Sequence, residues 1–136
     1  MGDKIHTEAF DVEWNSNDFC GDAFNLNLTN DIQNVRTNCG NDKVSGAADY
    51  NWDASGPLEF GTTATEKYLW DAMSAGEQAW AAQPDGGSAT GTANPEYSGS
   101  ALAASLTIGF SATGFANYSF NAEGTDSGGI PTRATS

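Results

Sequence analysis

The residues able to do chemistry are few and scattered. The chain has one histidine, His6, in an N-terminal stretch without periodic pattern, so a Ser-His-Asp arrangement has no anchored base. Cys20 and Cys39 sit in similar settings, FCGD and NCGN, with no further ligands at zinc spacing. The reading favours free thiols in a protein folded in the cytoplasm, while a Cys20–Cys39 pair stays open. Carboxylates are abundant but fall on alternate residues of strand-like segments, where a solvated face is the ordinary outcome and a glycosidase-like pair is not indicated. DSGG and NCGND offer oxygen ligands without the spacing of a calcium loop, and GGSATG lacks the lysine of a phosphate-binding loop. Asn27-Leu-Thr29 and Asn117-Tyr-Ser119 match glycosylation sequons, a pattern short enough to recur by chance. No catalytic constellation, cofactor site or metal site is predicted.

The elements around these residues are mostly strands. A chain of 136 residues is read as one domain, 1–136, burying roughly two-thirds of its unfolded surface. Sixteen glycines and many Asn, Asp, Ser and Thr residues indicate frequent turns and a β-rich fold. Phe10, Val12 and Trp14 alternate with Asp11 and Glu13 before a turn at NSND. From 23 to 35, Phe24, Leu26, Leu28 and Ile32 are expected inward, opposite Asn25, Asn27, Thr29, Asp31 and Gln33. Residues 36–46 read as a long polar loop. The strand from about 46 to 60 places Ala48, Tyr50, Trp52 and Ala54 opposite Asp49, Asn51 and Asp53. Leu102, Ala104, Leu106, Ile108 and Phe110 form one expected face of a penultimate strand. In the last strand Ala116, Tyr118, Phe120 and Ala122 oppose Asn117, Ser119, Asn121 and Glu123.

One helix is predicted, over about 64–75. Thr63 and Glu66 suit a capping box, Tyr68, Leu69, Ala72 and Met73 an apolar stripe, and Gly76 a terminator. EQAWAAQ suggests a short strand. Residues 84–100 read as a flexible Gly/Ser/Pro-rich loop, and 125–136 as a tail too polar to pack much. The N-terminus has no apolar leader-like region and no long apolar run occurs, so membrane association is not expected.

Eighteen acids against five bases give a net charge of −13. That disfavours wrapping nucleic acid, which requires cations to displace phosphate counterions. Solubility is one use of such charge; a surface that must not hold DNA is another.

In order along the chain, FDVEWNSNDFCG, NVRTNCGNDKVSG, GPLEFGTTATEKYLWDAM and the closing SFNAEGT give a sequence that resembles the major tail tube proteins of long-tailed, siphovirus-type bacteriophages. The loop lacks the family's aspartate-threonine step. The resemblance implies a mainly β, antiparallel sandwich- or barrel-like domain with one flanking helix, assembling into stacked hexameric rings. It implies a structural virion protein, not an enzyme, built in the host cytoplasm into a tail tube. The tape-measure protein and then DNA pass through such a tube, and tail terminator and distal tail proteins bound it. The tubes of contractile injection systems and gene transfer agents are related assemblies that one sequence does not separate from it.

Strand faces then nominate Asp31, Asp49, Asp53 and Glu123 as lumen-facing, since they stand among Asn, Ser and Thr without Lys or Arg. The 36–46 loop, with Arg36, Thr37, Asn38, Cys39, Gly40, Asn41, Asp42 and Lys43, is the candidate ring-stacking element, together with the N-terminal arm. The competing expectation is a β-sandwich binding module for carbohydrate or protein that uses exposed tryptophans from among Trp14, Trp52, Trp70 and Trp80. The apolar faces on which most of them fall favour a core role.

Overall fold

The computed structural model describes residues 10–61, 64–127 and 129–136, with side chains excluded at 33, 35, 41, 42, 44 and 45. His6 and Thr63 lie outside the described residues. The elements are β1 (Asp11–Trp14), β2 (Asn17–Asp18), β3 (Ala23–Thr37), β4 (Gly40–Pro57), α1 (Thr65–Ala75), β5 (Gln78–Gln83), β6 (Glu96–Gly109), β7 (Asn117–Gly124) and β8 (Thr132–Ala134). The strands form one antiparallel sheet in the order β2-β1-β5-β6-β7-β4-β3, with β8 alongside β6. The mainly β fold with one helix is the class expected from the sequence.

The sheet rolls around an aromatic core. Trp14 on β1 meets Trp52 on β4 at 5.9 Å and Phe120 on β7 at 5.5 Å between ring centroids, although β1 is hydrogen-bonded to neither strand. Phe24 on β3 reaches Trp80 on β5 at 6.4 Å across the same interior. Strands remote in the hydrogen-bonding order are thus drawn together by side chains on the concave face. Helix α1 packs on β6 and β1 and buries Leu69, Ala72 and Thr65 in the same core. Gly76 ends it at φ 79°, a conformation that favours glycine. The N-cap is Ala64, without a side-chain cap, so the capping reading rests on Thr63, outside the description. Met73 is exposed, one position beyond the buried Leu69–Ala72 stripe, and Trp70 is exposed too. At the NSND turn, Asn15 and Ser16 both adopt positive φ, 51° and 66°, as a tight hairpin turn with right-handed strand twist demands.

Three segments differ from the sequence expectation. Residues 36–46 are strand and turn: β3 runs to Thr37 and β4 starts at Gly40, so the hairpin closes at Asn38–Cys39. Its polar composition reflects a ribbon with no core beneath it, which is also why Leu28 and Ile32 are 53% and 62% exposed instead of buried. The stretch 84–100 is loop only as far as Asn94–Pro95, since β6 begins at Glu96. Buried Asn94 holds that loop, accepting from the Asp85 amide at 3.0 Å and donating to the Asp85 carbonyl at 2.9 Å. The C-terminal segment does pack, through polar contacts and not apolar area. The Asp126 carboxylate accepts from the buried Tyr50 hydroxyl and, at 3.2 Å, from the Ser100 amide. Beyond it β8 pairs with β6.

A register shift between Ala103 and Ser105 explains Leu102. Ala101 and Ala103 face the core before the bulge, Leu106 and Ile108 after it, and Leu102 is left 45% exposed. One extra residue exchanges the faces of a strand with period two.

Gly124 lies against the Tyr50 ring, where an added Cβ would overlap ring carbons. Gly124→Ala should therefore force that ring from its place over Trp80. Chemical denaturation should show a loss of about 1–3 kcal/mol, and an unchanged midpoint would contradict this packing.

Candidate functional site

Strand register assembles one broad polar face on the side of the sheet turned away from the core and α1. Asn25 stands opposite Asp53, which stands opposite Asn121, which stands opposite Ser105. The next row is Asn27, Asn51 and Glu123, and Thr29 faces Asp49 beyond it. This cross-strand ladder follows from the alternation: Tyr50, Trp52, Ala54, Phe120 and Ala122 are buried, so their neighbours must point the other way. The rows are knitted by hydrogen bonds. Asn25 Nδ2 donates to Asp53 Oδ1 at 3.0 Å, Thr29 Oγ1 donates to the Asp49 carbonyl at 3.3 Å, and the Tyr50 amide donates to Asp49 Oδ1 at 2.8 Å. A shallow depression of about 60 Å³ lies between Asn27, Asp49, Asn51 and Glu123. It is too small for an organic ligand.

Of the four residues nominated from sequence, Asp49, Asp53 and Glu123 are brought onto this face. Asp31 shares the face of β3 that carries Asn25, Asn27 and Thr29, but stands at the β3–β4 register shift, farther along the hairpin. No lysine or arginine occupies the ladder positions. The face can repel anions and hydrogen-bond water; it offers no nucleophile with a base.

The nominated stacking residues cap the long hairpin. Thr37 Oγ1 accepts from the Cys39 amide at 3.2 Å and donates to the Gly40 carbonyl at 3.3 Å, closing the turn. Arg36 is opposite Asn41, and Lys43 opposite Asn34. The side chains of Asn41 and Asp42 are outside the description. Cys20 and Cys39 are both free. Cys39 is at the hairpin tip, while Cys20 precedes β3, whose fourteen steps from Ala23 to Thr37 span about 45 Å. A bond between them within one chain is out of reach, since bridged Cα atoms lie about 4–7 Å apart.

One cluster was not singled out from sequence. Asp11 and Glu13 on β1 and Asp18 on β2 bring carboxylate oxygens within 4.8 Å of one another. The legible signal was DVEW followed by a two-residue turn, which folds ND back beside Glu13. Burial first, and then the Asp18 carboxylate, raise the carboxyls of both Asp11 and Glu13 above their ordinary range.

The tryptophans separate cleanly. Trp14, Trp52 and Trp80 are buried, and Trp70 is 62% exposed on the outer side of α1. Among the described residues no helix is long and apolar enough to cross a membrane.

No family model matches the chain, and no curated protein matches it either. Solved structures do share its fold. One is the sheath-tube complex of an extracellular contractile injection system (PVC) in its extended state: 16% identity, TM-score 0.71, covering 98% of this chain and 93% of that one. A second is the tube-terminating cap of the anti-feeding prophage, at 18% identity and TM-score 0.73, covering 100% and 94% respectively. A third is the tail of an empty gene transfer agent particle, refined helically with C6 symmetry, at 14% identity and TM-score 0.65, covering 94% of each chain. The whole chain therefore adopts a fold found in tube and tail components of phage-like particles.

The acidic cluster sets a pH dependence. A raised carboxyl pKa means the folded state holds its proton more tightly, so the stabilisation is complete below the ordinary values, 3.8 for Asp11 and 4.5 for Glu13. It is lost as pH rises through the higher folded-state values. Asp18→Asn should flatten that fall and raise the melting temperature near neutrality by about 2 °C. Thermal scans across the acid range check this; a variant less stable at neutral pH would contradict it.

Proposed function

We propose that the chain is a structural tube protein of a phage-like tail, polymerising as stacked hexameric rings around a channel for DNA. The observation that carries this reading is the cation-free ladder of Asp49, Asp53 and Glu123 among Asn, Ser and Thr, extended along β3 by Asp31. A channel wall must be wet on one side and anchored to the subunit's core on the other, and β3, β4 and β7 are built in that way. With a screening length of about 8 Å at physiological salt, carboxylates repeated around a ring still repel a phosphate backbone held close to the wall. DNA would then slide without being bound. Among the described residues β3 and β2 end the sheet order, which gives each subunit two edge strands to pair across a ring, removing exposed edges by closure.

The tape-measure protein would occupy the same channel before DNA, with terminator and distal tail proteins at the tube's ends. We assign the assembly to a virion tail put together in the host cytoplasm. The siphovirus-type reading stays part of the proposal; contractile injection systems and gene transfer agents share the fold. Hexameric assembly draws support from the sixfold symmetry of the gene transfer agent tail. The binding-module reading keeps Trp70 alone of its four tryptophans, since Trp14, Trp52 and Trp80 are in the core.

Replacing Asp49 and Asp53 together by Lys leaves the core faces untouched, so tubes should still assemble. DNA delivery should fall by about tenfold or more, because the wall gains cations that pair with phosphate. Electron microscopy of tubes alongside a delivery assay reads both. Normal delivery through normal tubes would remove these residues from the channel.

A further inference from the structure

One edge of β6 is shared by two strands. β7 pairs with it from Gly109 back to Ala101 and ends at Gly124. β8 takes the same edge at Glu96–Ser98, because β5 already holds the other edge at Tyr97 and Ser98. β4 leaves β7 at the same level, where Asn51 stands opposite Glu123. The chain from Thr125 onward therefore enters the place that β7 has vacated, between β6 and the root of the β3–β4 hairpin.

Its contacts reach both neighbours. Toward β6, the Thr125 amide donates to the Ser100 carbonyl at 2.9 Å, and the Ser100 amide donates to both Asp126 carboxylate oxygens at 3.2 Å. Toward β4, Asp126 accepts from the Tyr50 hydroxyl, which itself accepts from Trp80 Nε1 at 3.0 Å. One carboxylate thus ties β6, the hairpin root and the core together. Burial first, and then the bond to Asp126, push the Tyr50 phenol above its ordinary range, so it stays a donor. The seat is cleared for close approach. A Cβ on Gly99 would overlap the Asp126 carboxylate, and one on Gly129, at φ 76°, would overlap the Ala48 carbonyl.

Immediately beyond Ala48 the hairpin has a hinge. Asn30 is opposite Ala48 and Ile32 opposite Ser45, so Gly46 and Ala47 stand against the single residue Asp31. Such a bulge bends its strand and interrupts the ladder. Outside it the two strands pair only with each other among the described residues, and a two-stranded ribbon is marginal alone.

We propose that the C-terminal segment is a latch that fixes the direction of the β3–β4 hairpin. With Asp126 on Tyr50, the root is braced from β6 and the hairpin is held at one angle; with that bond broken, the hairpin swings about Gly46–Ala47. The latch is built to open locally. It holds by hydrogen bonds and a three-residue strand, and its large apolar side chain, Ile130, is 51% exposed, so release uncovers little apolar surface. A strand that took the β6 edge in place of β8 would free the hairpin by the same route, which links that edge to the hairpin's pose. The latch belongs to the single subunit and is independent of the tube.

The test uses the full chain, kept dilute, with Cys20→Ser and Ser74→Cys, spin-labelled at native Cys39 on the hairpin tip and at the exposed α1 position. Electron-resonance distance measurements should give one narrow distance. Asp126→Ala should broaden it, and so should Tyr50→Phe, which keeps the ring and removes only the hydroxyl. In unlabelled chains the same substitutions should speed hydrogen exchange of Thr132–Ala134 and of the root around Ala48 by about tenfold, with Trp52 and Phe120 unchanged. Ser98→Cys with Thr132→Cys, which face each other across β6 and β8, can then be oxidised in an Asp126→Ala chain lacking Cys20 and Cys39. Closing that disulfide should return the root to parent rates, and reducing it should release the root again. A distance as narrow in both variants as in the parent would overturn the latch. Exchange that accelerates equally in strap, root and core would overturn it too, leaving Asp126 a contributor to global stability alone. A root that stays fast with the disulfide closed would overturn the link to the β6 edge.

Discussion

The structure depends on a single ring at the centre of β4. Trp52 is fully buried and meets Trp14 from β1, Phe24 from β3, Trp80 from β5, Phe120 from β7 and Phe19 from the segment before β3. Each such aromatic pair contributes about 0.5–1.5 kcal/mol beyond the area it removes from water. Collectively they bend a sheet that would otherwise remain open, because strands far apart in the order must converge on one indole. Helix α1 closes what remains of that interior with Leu69 and Ala72.

Rolling the sheet inward fixes what the other side can be. Every residue that turns toward Trp52 obliges its neighbour to turn away. The ladder of Asn25, Asp53 and Asn121, with Asn51 and Glu123, is thus the necessary reverse of the core, and selection is free to choose its chemistry. The chosen chemistry is amides, hydroxyls and carboxylates without cations. The same division accounts for the arm: where the core ends, near Ala48 and Tyr50, the hairpin continues as a ribbon whose inward face has nothing of its own to cover. A polar, acidic outer face and a hairpin that runs past the core are two consequences of one rolled, two-faced sheet.

Much of this was legible as alternation. NYSFNAEG and ADYNWDAS gave the correct faces for β7 and the inner half of β4, because both stretches run in unbroken register over the core. Asp49, Asp53 and Glu123 were legible for the same reason. Ile32 and Leu28 were not, since an apolar residue on a ribbon beyond the core keeps its pattern and loses its burial. RTNCGND looked like a loop because a strand with no core beneath it carries no hydrophobic signal. Leu102 was misread because a bulge shifts the period by one without any mark in composition. The C-terminal segment was undervalued because its anchor, Asp126 on Tyr50 and Ser100, consists of hydrogen bonds between residues distant in sequence.

In the proposed tube, the polar face of β3, β4 and β7 lines the channel. Helical reconstruction by electron cryo-microscopy of the assembled, concentrated chain measures this directly. Sixfold rings with Asp49, Asp53 and Glu123 on the inner wall and α1 on the outside are the result expected. Rings with those carboxylates on the outer surface or sealed between subunits would contradict it, as would a chain that stays monomeric at high concentration.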